Sequence, residues 1–410
     1  MSKSKVILIL LVGLLTTLLS ACSLEGISAK SDKNNNGQIE PKTELTKSAV
    51  DLSVDLLKES FQEDENCLIS PISVLTALSM TANGADNETL SQMEVLLGRG
   101  LTIDEINNSL SSYLRKLDKD ENIHIANSIW INDLGNAKVK NEFIDVNKEY
   151  YRAKISKESF DEKTRDKINS WVRKNTNGMI EKIIDRIHPN SIMYLINALA
   201  FEAEWDREYK SHEIYEDKFT NYQGSKTDIE MMVSDEEKYL EDGKAVGFIK
   251  PYKDNKYSFI ALLPREDVDI KEYIRELTGE GLLNLINSFK RAKVDAHIPK
   301  FCYSYQVEMS QMLMNLGMVD AFDEHKADFS RMAKVENENI YINKVIHKTY
   351  IEVDEKGTKA AAATGVEVNE TSAILEEERY VVKLDRPFIY VIMDNVMNLP
   401  IFIGTVMDIN

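Results

Sequence analysis

The chain has 410 residues, 43% of them hydrophobic and 8% aromatic, enough for a sizeable core in one large sheet-based domain or two smaller ones. Fifty Lys and Arg against 68 Asp and Glu give a formal charge of −18, which argues against nucleic acid as a partner. Three cysteines are too few for a disulfide scaffold, and no internal repeat at solenoid or propeller spacing is visible.

The chain opens with Lys3 and Lys5, followed by an apolar run from Val6 to Leu19 that is shorter than a spanning helix needs. This pattern predicts a signal sequence over residues 1–21. Its end, LSAC at Leu19 to Cys22, resembles a bacterial lipobox. The resemblance implies that Cys22 becomes the lipidated first residue of an exported protein. That protein would be anchored in the membrane of a bacterial cell envelope and face outside the cytoplasm. Each buried methylene of an acyl chain contributes roughly 0.8 kcal/mol, so two or three chains anchor firmly. Residues 22–42 are polar and poor in large apolar side chains, as in a flexible tether. Within them DKNNNGQI at Asp32 to Ile39 alternates Asp32, Asn34 and Asn36 before Gly37, like the first half of a calcium loop. Thr43 stands where a bidentate acid is needed and Pro41 intrudes, so the segment reads as solvated linker.

After residue 43 no long Pro, Gly or Ser run divides the chain, which predicts one domain over 43–410. In order come SPISVLTALSMTANGA at Ser70 to Ala85 with Thr89 beyond it, INSWVRKNTNGMI at Ile168 to Ile180, and NALAFEAEW at Asn197 to Trp205. HIPKF at His297 to Phe301 and LGMVDAF at Leu316 to Phe322 follow. In KVIHKTYIEVDEKG, Tyr350, Glu352 and Asp354 alternate with Ile351, Val353 and Glu355, the period of a strand. That strand runs into GTKAAAATG at Gly357 to Gly365. Alanines there let a strand lengthen between two existing strands, where bulky side chains would clash. LDRPFIYVI at Leu384 to Ile392 and LPIFIGTV at Leu399 to Val406 complete the series.

Together these segments resemble the serpins, protease inhibitors that insert a loop into a sheet, over about Thr43 to Asn410. The resemblance implies an α+β fold with a large central, mostly antiparallel sheet, further sheets and about eight to nine helices. An exposed reactive-centre loop would span about 355–380. It implies a suicide inhibitor of serine endopeptidases, with some papain-like cysteine proteases as further targets, acting as a monomer in a covalent one-to-one complex. The alternative is a non-inhibitory serpin serving as a binding or scaffold module. Such a protein would carry bulky or charged inward hinge residues, which this chain lacks.

By the same resemblance Glu355, Gly357, Thr358, Lys359, Ala360, Ala361, Ala362 and Ala363 form the hinge. Ser70, Ser73, Asn197 and His347 form a hydrogen-bonded shutter beneath the central strands, and Trp205 marks the breach where insertion begins. Glu202 and Ala203 replace the Lys and Gly usual just before that tryptophan, and Lys359 replaces an acid. Alternation places Thr358, Ala360, Ala362, Thr364, Val366 and Val368 inward after insertion, all small or β-branched. Counting from Glu355 by the family's loop length puts the reactive bond at Thr371 and Ser372. Counting back from Pro387 also allows Ala373, Ile374, Leu375 and Glu376. Arg379 falls too late for a trypsin-like target.

Nothing in the sequence points to catalysis. No GxSxG, P-loop or HExxH occurs, and HEIYE at His212 to Glu216 ends in the wrong residue. Histidines 124, 188, 212, 297, 325 and 347 make no metal spacing, and His325 sits in a charged, solvated turn. No cofactor and no metal are expected. Cys67 and Cys302 both lie in apolar surroundings and read as buried and unpaired.

Overall fold

The computed structural model of the chain describes residues 44–133, 137–188, 191–336, 339–358 and 378–409. The expected signal sequence, the expected lipidated Cys22 and the expected tether lie outside these residues. Nine α-helices occur among the described residues: α1 Glu44–Ser60, α2 Pro71–Ala82, α3 Asn87–Gly98, α4 Ile103–Leu117, α5 Asn141–Tyr151, α6 Glu162–Asn175, α7 Ile270–Glu276, α8 Gly279–Asn287 and α9 Ser310–Asn315. The strands are β1 Cys67–Ile69, β2 Ile123–Asn132, β3 Lys138–Val139, β4 Lys154–Glu158, β5 Met193–Phe201, β6 Ala203–Glu204, β7 Ile214–Thr220, β8 Lys226–Glu241 and β9 Ala245–Pro251. They continue with β10 Tyr257–Pro264, β11 Lys290–Pro299, β12 Phe301–Glu308, β13 Ala333–Lys334, β14 Ile346–Val353, β15 Gly357–Thr358, β16 Arg379–Lys383, β17 Phe388–Asp394 and β18 Leu399–Val406.

The largest sheet runs β1-β18-β17-β10-β9-β8-β11-β16, with β7 also on β8. All its pairs are antiparallel except β11 with β16. Strands β10, β17 and β18 are buried at every residue, as expected of strands covered on both faces. Helix α2 is also buried along nearly its whole surface, so it lies inside the fold and not across its face. Helix α4 shows the opposite pattern. Its polar face is in solvent, and Thr102 and Glu105 close a capping box at its start.

Two smaller sheets position the site. One is β4-β2-β5; the other is β12-β14-β15-β6. Helix α6 covers the first through a small separate core that includes Trp130, Ile168, Val172 and Ile196. In β12, Phe301 and Tyr305 point inward while Cys302 points out, so the expectation that both cysteines are buried fails for Cys302. Its Sγ lies 3.2 Å from the Tyr350 hydroxyl. Strand alternation decides this against the apolar neighbours that suggested burial. Cys67 is buried as expected, and burial raises its thiol to about 11.

Candidate functional site

Strands β5 and β14 approach each other without sharing a ladder, and belong to separate sheets. The first turn of α2 touches both. The Ser70 backbone N–H donates to His347 Nε2 on β14 at 3.1 Å, while the Ser73 hydroxyl donates to Asn197 Oδ1 on β5. Asn197 Nδ2 then donates 2.7 Å to Asn127 Oδ1 on β2, and Asn127 Nδ2 donates 2.9 Å to the Tyr151 carbonyl at the end of α5. The four residues expected as a shutter therefore form two separate pairs, one on each side of the gap. Ser70 takes part through its backbone, since its hydroxyl finds no partner among the described residues. Asn127 was not singled out from sequence; it extends the pairing across the half-sheet.

His347 is buried, and burial lowers its pKa to about 4, so it accepts the Ser70 N–H as a neutral imidazole. The folded value lies below the ordinary 6.5, so the unfolded chain takes up the proton first and stability falls as pH drops. The contribution is complete above about pH 6.5 and is lost progressively toward pH 4, on the order of 3 kcal/mol in all. Urea midpoints measured from pH 7.5 to 4 should fall more steeply for the parent than for His347→Gln. Parallel slopes would remove His347 as their source.

At one end of the gap Gly357 and Thr358, two of the residues expected in the hinge, form the short strand β15. Thr358 pairs with Val353 on one side and Ala203 on the other, and Gly357 pairs with Glu204. Thr358 is 3% exposed, and its hydroxyl lies 2.5 Å from that of Tyr252. The turn before it is held by backbone and ring. Trp205 Nε1 donates 2.9 Å to the Asp354 carbonyl, the Trp205 N–H donates 2.8 Å to that of Lys356, and the Tyr209 N–H donates 2.9 Å to that of Glu355. Trp205 stacks on Tyr252 with centroids 4.5 Å apart. Burial of Asp354 raises its pKa, whereas the Lys300 ammonium, 2.9 Å from Glu355, lowers that of Glu355.

Both partners of the Lys300–Glu355 pair are partly exposed, so it is worth about 1 kcal/mol or less, but charge reversal sets two ammonium groups together. Glu355→Lys should lower the denaturation midpoint, and Lys300→Glu in the same chain should recover part of the loss. A double variant no better than the single would show that the pair does not matter.

Of the two departures from the expected pattern, Glu202 separates β5 from β6 and Ala203 opens β6. Glu202 accepts 3.0 Å from Asn177 and lies 4.0 Å from His124. His325 is exposed beside Glu324, as expected of a solvated turn. Arg379 opens β16, paired with Asp295 and Asp235. Among the described residues no His, Cys, Asp and Glu group suits a metal ion, and no helix is long and apolar enough to cross a membrane. Lys359 to Ala363, the inward series beyond them, and Thr371 to Glu376 lie outside the described residues.

A helix whose first turn bonds two neighbouring strands of separate sheets, with the short strand β15 paired between β14 and β6 at one end, belongs to an α+β fold. The family model described as serpin, serine protease inhibitor, matches residues 47–409. The chain belongs to the serpin family. It is 30% identical to human Serpin B13 over 386 residues, covering 86% of this chain and 96% of that one. Among solved structures, the native state of tengpin, a thermophilic serpin, matches with a TM-score of 0.83 and 46% identity. That match covers 89% of this chain and 94% of tengpin. Thyroxine-binding globulin in complex with thyroxine matches with a TM-score of 0.77, covering 90% of this chain and all of that one, but at 22% identity it shows the fold alone. Family membership implies a target protease and an inhibitor-type role in place of catalysis.

Proposed function

We propose that this chain is a suicide inhibitor of serine endopeptidases, with papain-like cysteine proteases as a further target class, anchored outside the cytoplasm through lipidated Cys22. The observation that carries the reading is β15. Its residues Gly357 and Thr358 are seated between β14 and β6, at the end of the seam that the rest of the loop would fill.

The protease attacks the loop as a substrate, at Thr371–Ser372 or a bond as late as Glu376, and forms an acyl-enzyme. The freed strand then extends from Thr358 between β5 and β14, a transition known for serpins. About 14 residues at roughly 3.3 Å each carry the attached protease some 46 Å. About 14 new backbone hydrogen bonds, at a net 0.5 to 1.5 kcal/mol each, supply on the order of 7 to 20 kcal/mol. That is comparable to the stability of a whole domain and enough to distort the protease before it deacylates. The Ser70–His347 and Ser73–Asn197 pairs hold the seam from beneath until insertion separates its edges.

The chain mixed with elastase, subtilisin, chymotrypsin, papain and a glutamyl endopeptidase should give a complex that survives denaturing gels. The mass of the released C-terminal peptide fixes the bond. Loop cleavage with no such complex for every protease would favour a binding or scaffold serpin. Cys22→Ser should move the expressed protein from the membrane fraction to the soluble one; an unchanged distribution would rule out the lipid anchor.

A further inference from the structure

One buried ion pair lies directly under the hinge turn and has no part in the scheme above. Lys250 on β9 and Glu236 on β8 are 3% and 7% exposed, with Nζ 2.8 Å from Glu236 Oε1 and 3.3 Å from Ser234 Oγ. Ser234 donates 2.7 Å to the same carboxylate oxygen, and the Tyr209 hydroxyl lies 3.1 Å from Ser234 Oγ. The ammonium also faces two rings, 5.2 Å from the centroid of Trp205 and 4.6 Å from that of Tyr209. Those are the two residues whose N–H groups hold the carbonyls of Asp354, Glu355 and Lys356. Burial opposes the charge on Lys250, but Tyr209 and Glu236 more than offset it and keep the amine cationic.

An ion pair is an expensive way to fill this space. Taking both charges out of water costs enough that a well-packed apolar pair of similar volume is commonly as stable or more so. What two apolar side chains lack is attraction for two ring faces from a single point. The cation sits where it fixes both anchors of the turn at once, and Trp205 in turn stacks on Tyr252, whose hydroxyl touches Thr358.

We propose that the Lys250–Glu236 pair is a positioning element for loop insertion: it fixes Trp205 and Tyr209, and through them the register in which the strand beginning at Thr358 enters between β5 and β14. The proposal rests on the insertion mechanism above. Without the pair the turn is held less firmly, the strand enters more slowly and out of register, and more acyl-enzyme hydrolyses before it is trapped.

Lys250→Met alone strands a buried carboxylate, so the informative variant is Lys250→Met with Glu236→Met. Three quantities are read on the full chain: the midpoint of the uncleaved protein, the chain consumed per protease trapped, and the rate of tryptophan fluorescence change after the loop is nicked. The double variant should keep or raise the midpoint, yet consume about fivefold to thirtyfold more chain and insert slower by a similar factor, the range that a cation–π contact of about 1 to 2 kcal/mol gives. Lys250→Arg, which keeps the charge over the rings, should behave as the parent. A folded double variant matching the parent in consumption and rate would reduce the pair to a core element and overturn the proposal. Should the double variant not fold, Tyr209→Leu deletes one ring while leaving the ion pair, and an unchanged insertion rate there overturns it equally. A parent that is cleaved and inserts but traps nothing refutes the inhibitory reading, leaving the insertion rates to decide the role of the pair. A parent whose nicked loop never inserts overturns both.

Discussion

Thr358→Arg is expected to turn the inhibitor into a substrate: the loop is still cut, but the denaturant-stable complex disappears. Thr358 is the first residue of the incoming strand with its side chain inside the molecule, where its hydroxyl meets that of Tyr252 between Val353 and Ala203. A guanidinium there finds no carboxylate among these immediate neighbours. Burying an unpaired charge costs several kcal/mol even after relaxation, so in the uncleaved variant β15 leaves its seat and carries the arginine out to solvent, and insertion must then bury it. A cost of about 3 kcal/mol is roughly a hundredfold in the competition between insertion and deacylation. Inhibition and cleavage are read on one gel, and Thr358→Ser, which keeps the small hydroxyl, should trap like the parent. Undiminished trapping by Thr358→Arg would mean that the strand does not enter through this position.

The fold was legible because several ordered segments agree, and because local rules suffice within each. The alternation at Tyr350 to Val353 became β14, with Ile351 and Val353 inside. The apolar runs LDRPFIYVI and LPIFIGTV became the paired strands β17 and β18. Less of the site was legible. Tyr252 and Thr358 are 106 residues apart and meet only when the largest sheet, at the end of β9, and the sheet that holds β15 have both formed. Lys300 lies within the quoted HIPKF segment, yet nothing in that string announces Glu355 as its partner. Lys250 and Glu236 sit on neighbouring strands among other charges, and only their burial separates them from an ordinary solvated pair. Cys302 shows the opposite error. Apolar neighbours in sequence implied burial, whereas the phase of β12 sends its side chain outward.

Gly357→Val should act one residue earlier and through space, not charge. The φ of Gly357 is not positive, so a side chain is not excluded by torsion. It is excluded by contact, because a Cβ there would lie 2.1 Å from the Ala203 carbonyl oxygen and 2.8 Å from Glu204 Cα. Both are backbone atoms of β6, which cannot swing aside as a flexible side chain does. The only relief is for β15 to leave β6, giving up the Gly357–Glu204 and Thr358–Ala203 pairings and exposing Thr358. Losing those bonds and that burial should lower stability by about 2 to 3 kcal/mol, seen as a reduced denaturation midpoint of the uncleaved chain. The proposed insertion extends β15 from this seat, so a variant whose β15 has already left β6 to escape the clash must force the valine back against that backbone as the strand enters, and trapping should fall as well. A valine variant with a lower midpoint but undiminished trapping would separate the two effects, and would place the entrance to the seam somewhere other than between β14 and β6.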